Sequence, residues 1–164
     1  MALFAPSARA EAEDVPPRPE DEGLMREAIA LAQTSDFPFG AIIARDGEVL
    51  ARGPNLGKRL ADPTAHAEMV AIRRFIATRP PDELRGATLY TSAEPCPMCI
   101  GAIIWSGLSR VVFGASVDDL APRIGPIALS AREVAQRTPF ARVAFTGGVL
   151  RAEALALFER RATP

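Results

Sequence analysis

The chain has 164 residues, 48% of them hydrophobic and 24% charged, and a formal net charge of −1. These values fit one globular domain with a sizeable core, and they exclude a wholly disordered chain. Only two cysteines are present, which is too few for a secreted disulfide scaffold, and a free thiol pair favours a reducing, cytoplasmic location.

The first 20 residues are predicted to form a flexible leader. The stretch from Pro6 to Glu20 is rich in proline and charge and lacks periodic apolar positions, so it cannot bury enough surface to order itself. Nothing basic precedes the N-terminal hydrophobic run, which is only a few residues long, and this argues against a signal peptide. No window reaches the roughly 18 apolar residues of a membrane-spanning helix. We therefore expect a soluble protein with one domain over residues 21–164.

The domain is predicted to open with a helix and a β-hairpin. From Asp21 onward, Leu24 and Leu31 fall on one helical face, and acids stand at the helix start, where the helix dipole favours them. The alternating stretch that follows contains Asp46-Gly47, the dipeptide most favoured in tight hairpin turns. Two antiparallel strands are expected around it.

Helices and strands alternate along the rest of the chain. Asp62, Pro63 and Thr64 are typical capping and first-turn residues for a helix that Pro80 and Pro81 end. The apolar pattern then predicts a strand in ATLYTS, a helix in PMCIGAIIWSG, a strand in SRVVFGA, a strand in ARVAFTGG and a last helix in RAEALALFERR. This alternation indicates a layered α/β domain.

The last two strands are predicted to be parallel. The connection between the strand near Val112 and the strand near Val143 is long and contains the helix-like segment SAREVAQ. A parallel crossover needs such a connection, whereas an antiparallel pair can be joined by a tight turn.

The residues that could carry chemistry cluster at the predicted starts of two helices. His66 is the only histidine and lies with Glu68 in the opening turn of one helix, while Cys96 and Cys99 lie at the start of another. Residues two apart on a helix point about 200° away from each other, so His66 and Glu68 can converge only on an object beyond the helix end. Two helix N-termini aimed at one spot lower thiol pKa values and favour thiolates.

One imidazole and two thiolates are ligands that suit Zn²⁺, although the cysteine spacing alone also fits a redox pair. The chain contains no other Cys or His, so it cannot complete a four-ligand structural site of that kind. Three protein ligands with an open fourth position are the catalytic arrangement, in which bound water becomes acidic near neutral pH. Glu68 is placed to take a proton from that water and deliver it to a substrate.

The combined pattern resembles a known family. H-x-E followed by P-C-x-x-C is the signature of zinc nucleobase deaminases, and HAE at residues 66–68 with PCPMC at residues 95–99 matches it. The stretches FPFGAII, GPN, DPTAHAEMVAIR, LYTSAEPCPMCIGAIIW and VVFGA are similar to the purine-acting branch of the cytidine deaminase-like superfamily, which includes bacterial guanine deaminases and tRNA adenosine deaminases. The resemblance covers residues 23–115 well. It implies a three-layer α/β/α fold around a mixed five-stranded sheet.

The resemblance also implies a role for each matching residue. His66, Cys96 and Cys99 would bind one zinc ion, and Glu68 would move protons to a ring nitrogen and to the leaving amino group. The implied substrate contacts come from Phe39, Asn55, the backbone N–H of Ala67, Pro95 and Trp105.

Some of these residues have ordinary structural readings. Asn55 is also a common turn former, and large apolar residues such as Trp105 most often serve in packing. Guanine deaminases of this branch read the purine with a C-terminal tyrosine and an aspartate after the fourth strand. The only tyrosine here is Tyr90, and Asp118 and Asp119 are the nearest acids to the expected aspartate.

The sequence therefore predicts a zinc-dependent hydrolytic deaminase of guanine or a similar small purine, with a nucleobase or nucleoside substrate and, by resemblance, a homodimeric state. The nearer alternative is a tRNA adenosine deaminase, because residues 37–164 have a mildly basic, arginine-rich balance that permits contact with phosphate. A catalytically silent zinc-binding module of the same fold is a rival from another class, and the intact Glu68 argues against it.

Overall fold

The computed structural model describes residues 12–138 and 142–159. In chain order its helices and strands are β1 Glu13–Asp14, α1 Asp21–Thr34, β2 Gly40–Arg45, β3 Glu48–Pro54, α2 Ala67–Ile76, β4 Thr88–Ala93, α3 Pro97–Ser106, β5 Arg110–Ala115, α4 Val117–Ile124, α5 Ala131–Gln136, β6 Ala144–Thr146 and α6 Arg151–Glu159. Residue 141 of the last predicted strand and residues 160–161 of the last predicted helix lie outside the described residues.

One mixed sheet forms the centre of the molecule, with its strands in the order β1-β6-β5-β4-β2-β3. β2 pairs antiparallel with β3 and with β4, whereas β4, β5 and β6 run parallel to one another. The predicted parallel pairing of the last two strands is therefore confirmed. The hairpin is also confirmed, because Asp46 and Gly47 have φ values of 50° and 81°, and positive values at both positions characterise the tight type I′ turn.

The sheet has six strands, where five were predicted. The sixth, β1, comes from within the predicted leader and pairs parallel with β6. An edge strand needs backbone partners on one side only, so a segment too polar for the core can still take that place. The N–H of Val15 extends the pairing by donating to the carbonyl of Phe145 at 2.9 Å.

The assignment of residues 1–20 to a flexible leader and of residues 21–164 to the domain stays a prediction. Residues 1–11 lie outside the described part of the chain. In the part that is described, Arg132 pairs with Asp14, and the hydroxyl of Thr146 donates to the carbonyl of Val15 at 2.9 Å. Residues 12–15 are thus joined to the body of the domain.

Helices cover both faces of the sheet, which gives the predicted three-layer α/β/α arrangement. Successive strand residues point to opposite faces. Ile43, Leu89 and Val111 pack on one side with residues of α2, α3 and α5. Ile42 and Val112 pack on the other side with residues of α1 and α6. Each face therefore has its own apolar core.

A buried ion pair joins α1 to the sheet. Asp21, with a side chain 0% exposed, accepts hydrogen bonds from Arg110 at 2.8 and 2.6 Å and from the Tyr90 hydroxyl at 3.0 Å. Arg110 also donates to the hydroxyl of Thr146. Burial by itself raises the pKa of the Asp21 carboxyl, but the hydrogen bonds from Arg110, the Arg18 N–H and Tyr90 outweigh it and lower that pKa below its usual value.

Across residues 12–138 and 142–159, no helix combines the length and apolar character needed to cross a membrane.

Candidate active site

Each predicted metal ligand lies at the start of a helix. His66 is the N-cap of α2 and Cys96 is the N-cap of α3, both with extended backbone, and Cys99 lies in the first turn of α3. An N-cap residue is not yet helical, so its side chain can turn toward the space beyond the helix end. α2 starts later than predicted, because Asp62 closes a separate turn by accepting hydrogen bonds from the N–H and hydroxyl of Thr64.

The three ligand atoms converge on one point. Nδ1 of His66 lies 3.7 Å from Sγ of Cys96 and 3.6 Å from Sγ of Cys99, and all three atoms lie within 4.8 Å of one another. Tetrahedral zinc with Zn–S bonds of about 2.3 Å and a Zn–N bond of about 2.0 Å places N and S about 3.5 Å apart. The donor set and its spacing therefore fit zinc. Because the site uses the only histidine and both cysteines of the chain, the fourth position has no Cys or His ligand.

Hydrogen bonding favours an anionic sulfur at this point. A hydrogen bond from Cys99 lowers the pKa of the Cys96 thiol to about 4, and His66 adds to the effect although burial opposes it. The hydrogen bond to Cys96, together with burial, raises the pKa of the Cys99 thiol. The pair thus loses a first proton readily, and a thiolate is the form that binds a metal ion.

Glu68 stands beside the ligand cluster without belonging to it. Glu68 is 5% exposed and lies in the first turn of α2. Its Oε1 accepts a hydrogen bond from the Thr91 hydroxyl at 3.4 Å. Burial raises the pKa of the Glu68 carboxyl. A buried carboxyl next to a metal site can carry a proton between a nucleophile and a substrate.

A pocket of about 410 Å³ opens onto His66, Glu68 and Cys96. This volume lies within the range of small-molecule sites, about 300 to 1,000 Å³. It is also lined by residues of α4 and the loop after it, which we call the far wall: Val117, Leu120, Ile124, Gly125 and Ile127. The far wall is apolar, and no lysine or arginine is among the described residues that line this pocket.

The structure brings some predicted substrate residues into the pocket and leaves others outside. Phe39 and Asn55 line it. The Asn55 side-chain oxygen accepts a hydrogen bond from the Gly57 N–H at 3.1 Å, so Asn55 is a turn former as well as a pocket residue. Pro95 is buried next to Cys96 in the chain, whereas Trp105 is 65% exposed on α3 and is not among the lining residues.

Two of the remaining predictions concern acids, and neither acid lines the pocket. Asp119 accepts from the N–H of Ser116 at the start of α4 and pairs with Arg151. Asp118 is exposed. Sequence reasoning thus missed the acid that lines the pocket together with Glu68, which is Glu94. The sequence did offer one sign of a role for Glu94, because it directly precedes Pro95 of the zinc motif. The zinc motif itself requires no charged residue at that position.

The far wall was also missed. Val117, Leu120 and Ile124 recur at intervals of three and four residues, which is the spacing of one helical face. Pro122 obscured that pattern, because proline ordinarily interrupts a helix. Phe37 completes the lining next to Phe39.

Comparison with known proteins points to one family. The model of the cytidine and deoxycytidylate deaminase zinc-binding region matches residues 18–115. Guanine deaminase of Bacillus subtilis is 46% identical over 84 residues, which are 51% of this chain and 54% of that protein. The tRNA-specific adenosine deaminase of the same organism is 42% identical over 100 residues, 58% of this chain and 62% of that protein. The chain thus spans less than two thirds of either curated relative.

Among solved structures, guanine deaminase from Nitrosomonas europaea superposes with a TM-score of 0.71 at 26% identity, over 97% of this chain and 89% of that one. The similarity therefore extends beyond the family motif into the segments that carry the far wall.

Proposed function

The chain belongs to the cytidine and deoxycytidylate deaminase family, and from that premise we propose that it is a zinc-dependent hydrolase that releases ammonia from guanine or a similar small purine. The observation that carries the proposal is the buried Glu68 carboxyl, placed beside the His66, Cys96 and Cys99 cluster at the base of a pocket of about 410 Å³. A zinc module without catalysis has no use for a carboxylate in that position.

The chemistry divides between the metal and the chain. His66, Cys96 and Cys99 would hold the zinc ion, which would supply a water of lowered pKa as the nucleophile near neutral pH. Glu68 takes a proton from the attacking water and gives it to a ring nitrogen of the substrate. It then takes the proton of the added hydroxyl group and gives it to the amino group, which leaves as ammonia. Asn55 and Phe39 orient the ring, the first with its amide and the second with its face.

The lining of the pocket favours a free base over a phosphorylated substrate. Phe37, Phe39 and the far wall present apolar surface, and the polar groups are few. A phosphate would need a cationic partner, and the described residues that line the pocket include no lysine or arginine. The guanine deaminases among the relatives support the same choice.

A tRNA adenosine is the second candidate, and one observation favours it. A smaller depression adjoins the main pocket, shares Phe37, Asn55 and His66 with it, and includes Lys58. Lys58 is exposed, with its ammonium 5.0 Å from the ring centre of Phe37. A polynucleotide backbone could lie there with its bases directed to the site.

Ammonia release decides between these candidates. The zinc-loaded chain is incubated with guanine, adenine, cytosine, their nucleosides, aminotriazines and a tRNA anticodon stem-loop. We expect release from guanine or a related free purine and no tight tRNA binding. Conversion of adenosine in the stem-loop, together with tRNA binding that weakens steeply with salt, would establish the second candidate instead. No release from any substrate would contradict the proposed function.

We further propose a homodimer. Met98 and Trp105 lie seven residues apart on α3 and are 36% and 65% exposed, so they present apolar surface on one side of that helix. In this dimer Trp105 contacts the partner subunit. It contacts substrate only in the pocket of that partner, across the interface. Sedimentation of the chain and of Trp105→Glu tests this, with a dimer expected for the first and a monomer for the second. The cytoplasmic location stays a prediction.

A further inference from the structure

Glu94 connects the metal side of the pocket to the far wall. It follows the last residue of β4 and stands two residues before Cys96, and its backbone N–H donates to the carbonyl of Ala115, the last residue of β5, at 2.8 Å. Its side chain then reaches two amides on other elements. Oε2 accepts from the Val117 N–H at 3.0 Å, and Oε1 accepts from the Ala131 N–H at 2.9 Å.

These two amides are among those that the helices cannot satisfy by themselves. α4 and α5 both begin with a capping box, Ser116 with Asp119 and Ser130 with Glu133. A capping box satisfies the N–H groups of the N-cap and of the third helical residue and leaves those of the first two residues without an intrahelical partner. Val117 and Ala131 are the first residues of the two helices.

The carboxylate of Glu94 therefore accepts hydrogen bonds from the N-termini of two helices. The partial positive charge at each N-terminus makes an anion the favoured acceptor, and hydrogen bonds to an ionised carboxylate are the stronger kind. An amide side chain could not replace it, because a glutamine offers one oxygen and would direct its NH₂ group at the second N–H.

The position of the two amides determines what Glu94 holds. Val117 is itself one anchored position, and the other four far-wall residues lie between positions 117 and 131. Glu94 thus fixes both ends of the segment that closes the pocket, and it does so from the strand end that leads directly to Cys96. Glu94 itself lines the same pocket.

We infer that Glu94 is a positioning residue for substrate selection: its carboxylate sets the distance between the far wall and the metal ligands, and thereby the size of the heterocycle that fits. This inference rests on the proposed function, because it assigns a determinant of specificity within the same site. It concerns binding of the ring and not proton transfer, which belongs to Glu68.

The test compares Glu94→Gln with the matched control Glu133→Gln, which removes a carboxylate from an N-cap amide of the same segment without touching β4 or the pocket. We expect Glu94→Gln to raise KM for the preferred base about tenfold, the equivalent of one charge-assisted hydrogen bond. Its kcat should stay within about twofold and its zinc content should be unchanged. Its preference among bases of different size should fall. Glu133→Gln should leave KM and preference unchanged even if it lowers the melting temperature.

A second variant removes the donor of the hydrogen bond between the Ala131 N–H and Glu94. Ala131→Pro removes the N–H, and proline is favoured at a first helical position. Ser130 already has the extended backbone (ψ 157°) that a following proline requires. If the bond is shared, the KM effects of Glu94→Gln and Ala131→Pro should be less than additive in the double variant.

Backbone hydrogen exchange keeps this inference separate from the proposed function. In the full chain, Glu94→Gln should speed exchange of the Val117 and Ala131 amides, and Glu133→Gln should not do so. This readout needs no turnover, so it stands even if ammonia release is never observed. Unchanged exchange at both amides would overturn the inference. So would a fall in kcat with zinc loss, or a lower melting temperature with KM and preference intact.

Discussion

The two sides of the pocket are attached to the molecule in different ways. On the ligand side, α2 packs on β3 and β2 and α3 follows the central strand β4, and Ala67 and Cys99 are fully buried there. The far wall belongs to an eight-residue helix and its loop, where Ile124 is 49% exposed. The core holds the first side, whereas local caps, Leu120, the ion pair of Asp119 with Arg151 and the two hydrogen bonds of Glu94 hold the second. The ligand side is thus built into the core, whereas the far wall, to which we assign substrate selection, is attached separately.

Removal of zinc should have the largest effect on ammonia release, because the ligand side cannot function without the metal. A chelator should abolish ammonia release, and added Zn²⁺ should restore it. The far wall has no share in the metal site, so its packing, followed by amide exchange at Val117 and Leu120, should persist in the stripped protein. Full activity in a protein shown by elemental analysis to lack metal would contradict the assignment of the ligand side.

The substitution Glu68→Gln should have the second-largest effect on ammonia release. It keeps the size of the side chain and removes the proton carrier, so we expect kcat to fall by about 10² to 10⁴, with one zinc retained per chain. Steady-state ammonia release and elemental analysis measure the two quantities. Glu133→Gln, a carboxylate removed from the α5 cap outside the pocket, is the control and should keep its kcat. A Glu68→Gln enzyme with normal turnover would sink the proposed role.

Asp21→Asn should destabilise the sheet on which the ligand side rests. It leaves Arg110 buried without its anionic partner, and such a change costs about 3 to 5 kcal/mol in the free energy of unfolding. The folded pKa of Asp21 is lowered, so its contribution is present above the unfolded pKa of about 3.9 and is lost as pH falls through the folded value.

The stability gap between wild type and Asp21→Asn should therefore be full near pH 7 and should narrow below about pH 4. Urea unfolding at a series of pH values measures it. Asp14→Asn is the control, because Asp14 pairs with Arg132 in an exposed position, and it should not shift the midpoint. If the difference in unfolding free energy between wild type and Asp21→Asn grew as the pH was lowered, the lowered pKa assigned to Asp21 would be wrong.

Ile124→Ala should have the smallest effect, because it trims the half-exposed rim of the far wall. Loss of part of one apolar contact should raise KM about threefold with kcat unchanged. Ile76→Ala, which removes an equally exposed isoleucine from α2 outside the pocket, should change neither constant. If both variants altered KM equally, the far wall would have no special relation to the substrate.

Much of the ligand side could be predicted from the sequence, because its residues are close neighbours in the chain. His66 with Glu68, and Cys96 with Cys99, are fixed relative to one another by one helical turn each, and the absence of any other Cys or His left one way to combine them. The hairpin at Asp46 and the parallel last strands followed from equally local rules on turns and connection lengths.

The far wall could not be predicted in the same way. α4 carries a proline inside the helix, and the pairing of Glu94 with Val117 and Ala131 joins positions 23 and 37 residues apart. No spacing rule connects such residues. The edge strand β1 was missed for a related reason, since its pairing depends on the free edge of β6 and not on its own composition.

The sequence by itself determined the metal-ligand set of this protein, because one histidine and two cysteines in this motif specify a zinc site before the fold is known. Only the tertiary structure decided how that site is enclosed. It left Trp105 out of the pocket lining, brought Glu94 between two helix starts, and brought α4 to the pocket that the ligands line. The physical reason is that local backbone geometry fixes neighbours in the chain, whereas the walls of a pocket come from elements that meet only when the core is packed.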